Sequence, residues 1–178
     1  MSNGNSDSWL PPYDGRAVAN YILELAEIFG QPLSQMQILK ILYFSHGWFL
    51  ATYNQPLVEQ NFEAWEYGPV IRVVRDSFKQ FGKGPVTSKA ERFDIFTGEV
   101  SEVEVNIQDK HKDFIQKIYI TYRNYDAWTL SNITHEKGSP WDRVWNSTKP
   151  IGRLALRIDN NEIRSHFSEL PTRVTSKH

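Results

Sequence analysis

The 178-residue sequence predicts an α+β fold that is mainly α: a compact helical domain around one central buried helix, with a small antiparallel β element. Three observations carry this. Residues 35–53 read as a helix that is apolar nearly all round, and such a helix has to be covered on every side. Segments with 3.6-residue apolar periodicity and helix-start residues lie before and after it. Two short stretches, 62–67 and 91–105, alternate apolar and polar residues as half-buried strands do.

In chain order, residues 1–12 read as a disordered lead ending in Pro11-Pro12, followed by a single domain over 13–170. Asp14 or Gly15 starts a helix running to about Phe29. Val18, Ile22, Leu25 and Phe29 share its apolar face, with Asn20, Glu24 and Glu27 opposite, and Gly30 and Pro32 stop it. Ser34 with Gln37 forms a capping box for the central helix. Gly47 in the middle of that helix costs about 1 kcal/mol of propensity, and the expected return is close approach by another backbone. Asn54 to Pro56 is a turn, and Phe62 to Tyr67 a short strand broken by Gly68. Pro69 suits the first turn of a helix over about 69–81, whose outer side carries Arg72, Arg75 and Lys79. After a loop from Gly82 to Lys89, Glu91–Phe96 and Glu99–Val105 form a hairpin around Thr97-Gly98. Asp109 caps a helix over 110–124, and Asp126 caps a shorter one from Ala127 to about Ile133. Gly138-Ser139-Pro140-Trp141 opens another, and Asn160 or Asn161 caps a last helix ending near Leu170. Residues 171–178 read as a flexible tail.

Bulk properties exclude several classes. Formal charge is −1, with 7 basic and 8 acidic residues in 1–90 and 13 of each in 91–178, so no global or one-sided field calls for nucleic acid or an anionic membrane. There is no cysteine, which removes disulfides, thiolate metal sites and thiol catalysis. No apolar run is long enough to span a membrane and the polar N-terminus is not a secretory signal, so the expected location is cytoplasmic.

Candidate chemistry is sparse. No two of His46, His111, His135, His166 and His178 stand at the four-residue spacing of a helical metal pair, so neither metal nor cofactor is expected. His46 reads as a core histidine bonded to a backbone carbonyl or a carboxylate. Lys40, one cation in an apolar helix, could be a nucleophile of depressed pKa. The stronger reading is a lysine that snorkels or pairs with Glu63 or Glu66. Arg72, Arg75 and Lys79 could meet phosphates, yet three charges interrupted by Asp76 are an ordinary solvated face. Trp65 and Tyr67 fall on one face of the strand beside Pro69; core packing and a groove for a partner segment both remain open.

Four pieces resemble one known family in order and spacing, over about residues 16–147. They are Val18-Ala19-Asn20-Tyr21-Ile22; Leu39-Lys40-Ile41-Leu42-Tyr43-Phe44 followed by His46-Gly47-Trp48; Phe62 through Trp65-Glu66-Tyr67-Gly68-Pro69-Val70; and Leu130 through His135-Glu136 to Pro140-Trp141. The family is the Panacea domain of SocA-like antitoxins and phage-associated GepA-type proteins. The resemblance implies a non-enzymatic antitoxin that binds and blocks a cognate toxin protein, with a ClpXP-type protease as a further partner in SocA-like members. Some members add a DNA-binding domain, for which this chain has no room. On this reading Lys40, Tyr43, His46, Gly47, Trp48 and Gly68 are structural motif residues. Partner contact is expected near Trp65, Tyr67, Pro69, Arg72, Arg75 and Lys79, with His135 and Trp141. The rival readings are a protease adaptor or phage-encoded host modulator, an enzyme using Lys40 or His46 in a pocket, and nucleic-acid binding by the basic stripe.

Overall fold

The computed structural model describes residues 10–149 and 156–171. Its elements are α1 (Gly15–Ile28), α2 (Gln35–Tyr53), β1 (Glu63–Trp65), β2 (Gly68–Val70), α3 (Arg72–Phe78) continued by a 3-10 turn (Lys79–Phe81), β3 (Glu91–Phe93), β4 (Val100–Glu102), α4 (Asp109–Tyr122), α5 (Ala127–Thr134), α6 (Pro140–Ser147), β5 (Leu156–Arg157) and α7 (Asn160–Glu169). The fold is α+β and mainly α. The expected lead and tail lie, for residues 1–9 and 172–178, outside the described residues.

Helix α2 is the axis. Every residue from Ile38 to Leu50 is buried, and α1, α3, α4, α5, α7 and β2 pack around it. Its start is the expected capping box: Ser34 Oγ accepts from the Gln37 amide, and the Gln37 side chain accepts from the Ser34 amide at 3.0 Å. Its end is Asn54 in the left-handed region (φ 55°), a position that asparagine tolerates better than most residues. Asp14, Asp126 and Ser139 cap α1, α5 and α6 through their side chains. Two expected caps move by one residue. Asp109 is the first helical residue of α4, after Gln108, where its charge still meets the positive end of the helix dipole. Asp159 caps α7, and the Asn160 amide oxygen is thereby left for another partner.

The sheet differs from expectation at Pro69. The chain turns at Glu66 and Tyr67 and runs back antiparallel, pairing Trp65 with Gly68, Ala64 with Pro69 and Glu63 with Val70. Pro69 therefore sits in a strand and α3 begins only at Arg72. β2 is an edge strand in the order β2-β1-β5, where a residue without an N–H is tolerated. β5 adds to the far side of β1 and has no sequence signature, because two residues are too few to alternate. The hairpin around Thr97-Gly98 is present, with shorter strands than the alternation suggests. Asn20, expected on the polar face of α1, is buried. Its amide donates to the Ala90 and Val103 carbonyls (3.1 and 2.8 Å) and accepts from the Ala90 N–H (2.7 Å), closing the base of the β3–β4 hairpin.

Gly47 is met by a ring and not by a backbone. A Cβ there would stand 2.3 Å from Phe167 Cε2 of α7, and Phe167 is itself wedged edge-on against Tyr43, Phe44 and Trp48. Gly47→Ala should therefore lower stability: an overpacking cost of about 1–3 kcal/mol outweighs a propensity gain of about 1 kcal/mol. In a Phe167→Val background the sign should reverse and Gly47→Ala should stabilise; urea midpoints of the four proteins check this.

Candidate functional site

The surface of interest is built outward from Lys40 on α2. Lys40 is fully buried, and its Nζ donates to the Pro69 carbonyl at 3.2 Å. It neither snorkels nor pairs with an acid: Glu63 is held by Arg72 instead. Burial pushes the Lys40 ammonium down to about 7. Over it lies Gly68 at φ 106°, where a Cβ would meet Thr134 Oγ1 at 2.6 Å and Lys40 Cε at 2.7 Å, so both the dihedral and the space require glycine.

This packing sets the turn before it. Ser131 of α5 donates its hydroxyl to the Tyr67 carbonyl at 2.9 Å, which turns the Tyr67 ring outward. The ring is 49% exposed and meets the edge of Trp128, 60% exposed, at a centroid distance of 5.7 Å. Trp128 escaped the sequence reading; the signal available was a large aromatic near the start of a short capped helix, too common to single out.

Trp65 is half-buried, between the two readings of the sequence. Its ring takes the guanidinium groups of Arg72 and Arg75, each 5.4 Å from a ring centroid. Its Nε1 donates to Glu63 Oε2 at 2.9 Å, and Glu63 binds Arg72 Nη2 at 2.8 Å. Strand alternation puts Glu63 and Trp65 on one face, so this trio follows from the period of β1. Arg75 also pairs with Asp76 at 2.9 Å. Two charges of the expected stripe are thus neutralised by acids, and Lys79 stands apart on the 3-10 turn.

Pro69 and Trp141 are buried and lie behind the surface. Trp141 Nε1 donates to the Trp65 carbonyl at 2.7 Å, and its ring stacks between His135 (3.7 Å) and Trp145 (5.4 Å). The motif residues are likewise interior. His46 lies against the Asn160 amide oxygen (3.0 Å) and the Val58 N–H (3.4 Å), a pairing met by the Nε2–H tautomer, in place of the carbonyl or carboxylate expected. Burial pushes the His46 imidazole down to about 4 against the opposing pull of Asn160. Tyr43 sits among Phe44, Phe62 and Phe167, and Trp48 Nε1 donates to the Tyr122 hydroxyl. Among the described residues no group of three or more His, Asp or Glu could hold a metal ion, and no helix is long and apolar enough to cross a membrane.

The geometry defines a helical scaffold that presents aromatic rings and paired cations on a β-turn and two helices. The chain belongs to the family described as "Antitoxin SocA-like, Panacea domain", whose profile matches residues 38–142. It is similar to Antitoxin SocA of Caulobacter vibrioides, 36% identical over 155 residues that cover 86% of this chain and 82% of that protein. No solved structure matches. The matched span begins inside α2 and ends one residue past Trp141, so it takes in the buried lysine, the turn and the indole that holds Trp65.

Lys40 makes the fold pH-dependent in a defined window. Between about 7 and its ordinary 10.5, the unfolded chain binds a proton at Lys40 that the folded chain does not. Its contribution to stability therefore rises with pH through that window, at up to about 1.4 kcal/mol per unit, and is flat below it. Lys40→Met should remove this rise, so urea unfolding at pH 7 and pH 9.5 should show the natural chain gaining on the variant as pH increases.

Proposed function

We propose that this chain is an antitoxin that neutralises a cognate toxin protein by direct contact, occluding the toxin's working surface and catalysing nothing itself. The observation that carries the reading is the Tyr67–Trp128 pair, two large rings held in water on a rigid turn and helix. Exposed Trp and Tyr are the residue types that dominate binding hot spots. Family membership and the name of the Caulobacter relative support the class of partner.

In this reading Tyr67, Trp128 and the outer edge of Trp65 supply the apolar centre, and Arg72 and Arg75 supply oriented donors at its border. Lys79 belongs to the rim. Pro69, His135 and Trp141 act from behind and do not touch the partner: Trp141 holds the Trp65 carbonyl, and His135 stacks on Trp141. Because Arg72 and Arg75 are already placed by Trp65, Glu63 and Asp76, little side-chain freedom is lost on binding.

The test is co-expression with the product of the neighbouring gene, scored by growth and by co-purification. A product that is toxic alone, harmless with this chain and recovered bound to it supports neutralisation by contact. One that is rescued but disappears points to delivery to a protease, and one that is never toxic leaves a host-modulating binder. Tyr67→Ala with Trp128→Ala should weaken toxin binding about 10- to 100-fold, the effect of losing two hot-spot rings. The circular dichroism spectrum and melting temperature should barely move, because both rings lie largely outside the core. Unchanged binding by this variant would show that the contact lies elsewhere.

A further inference from the structure

The most solvent-exposed apolar side chains of the β region lie away from that face, on the β3–β4 hairpin. Phe93 is 60% exposed, Ile95 76%, Phe96 93% and Val100 59%. Scattered exposed hydrophobes are ordinary, but four on one short hairpin, two of them cross-strand neighbours, concentrate apolar surface in one place, as interaction sites do. The hairpin is anchored at its base by the Asn20 amide. Its two strands form a sheet of their own; Arg16 of α1 donates from Nη1 to the Glu91 carbonyl on the outer edge of β3 at 3.3 Å.

The register adds chemistry. Phe93 lies opposite Val100, and Glu91 lies opposite Glu102. Residues two apart on a strand share a face, so one face carries an apolar pair next to a carboxylate pair. Like charges directly opposite each other are destabilising, and neither Glu91 nor Glu102 has an ion-pair partner among the described residues. Phe93, Val100 and Glu91 also line a cleft of about 310 Å³ together with Ser77 and Gln80 of the α3 region and with Ser88 and Lys89, the ammonium of Lys89 being paired with Glu24 at 2.7 Å. Over 91–105 the chain carries five acidic residues and one basic residue.

We propose that this hairpin and the cleft beside it are a docking surface for a protein segment that is both apolar and positively charged, lying extended with an apolar residue on Phe93 and Val100 and a Lys or Arg two positions on between Glu91 and Glu102. The segment lies across that face, and its alternation supplies the specificity, because side chains two apart meet first the apolar pair and then the carboxylate pair. The acidic character repels an anionic membrane and a second copy of the same face, which leaves a basic partner as the occupant the charges fit. The surface shares no residue with the Tyr67–Trp128 face, and the inference stands whether or not a toxin binds there.

The test uses the full chain, ¹⁵N-labelled, titrated with a synthetic peptide built on the repeat Ser-Leu-Ser-Lys, with Ser-Leu-Ser-Glu and Ser-Ser-Ser-Lys peptides as controls. The Leu/Lys peptide should shift amides of 91–105 together with Ser77 and Gln80, and the controls should not. Phe93→Ser with Val100→Ser should abolish those shifts. Glu91→Gln with Glu102→Gln should weaken binding about tenfold, as the loss of a modest charge contact does, and added salt should act in the same direction. All four side chains are exposed or at the surface, so unchanged amide spectra outside the hairpin verify the fold of each variant. Shifts located elsewhere, equal binding of the Leu/Glu peptide, or no shift at all would overturn the proposal. So would a concentration-dependent dimer lost in Phe93→Ser with Val100→Ser, which would give the face to a second copy. Binding to phosphatidylglycerol vesicles through the same residues would overturn it as well.

Discussion

A helix with no polar face has to be enclosed, and the enclosure of α2 governs the rest of this molecule. Thirteen consecutive residues, Ile38 to Leu50, are out of water, so helices from both ends of the sequence are drawn in to cover them. α1 and α4 lie against it, α5 and β2 close over the Lys40 side, and α7 seats its Phe167 ring on Gly47. The glycine leaves a hollow in that surface, and the ring fills it. The removal of so much apolar area from water is the main favourable term in folding.

The polar groups trapped by this enclosure give it direction. An apolar helix can rotate among neighbours at modest cost, whereas an unsatisfied buried polar group costs more. Lys40 must find the Pro69 carbonyl and His46 must find Asn160 and the Val58 amide. Those bonds align β2 and α7 on the axis. From the aligned β2 the remaining steps are short: the Ser131 hydroxyl takes the Tyr67 carbonyl, the Trp141 indole takes the Trp65 carbonyl, and the outward rings follow from the backbone so fixed. The surface is stiff because the core beneath it is polar at the right atoms.

Much of this was legible in the sequence. The central helix, its capping box, the hairpin, the mainly helical class and the family could be read from periodicity, caps and motif spacing, all of which are local. What could not be read depended on contacts distant in sequence. Gly68-Pro69 carries the residue signature of a helix start, and only pairing with β1 makes it a strand. Asn20 fits the polar stripe of α1 by period, yet its amide matches three backbone groups some seventy to eighty residues away. Lys40 suggested an acidic partner, but Glu63 lies on the strand face that Arg72 reaches. At the surface, Trp65 and Tyr67 were identified as a pair; their true neighbours, Arg75 and Trp128, are brought in by tertiary packing.

The Asn20 clamp has an evolutionary consequence. It grips backbone atoms of residues 90 and 103 and no side chain between them. The loop it closes can therefore exchange its residues, and even its length, while the attachment to α1 stays the same. Mutational drift in this segment is decoupled from the integrity of the core, which confines few of its side chains. A chain built this way can acquire a different partner by rewriting one hairpin, and the same anchor offers a place to graft a foreign recognition loop.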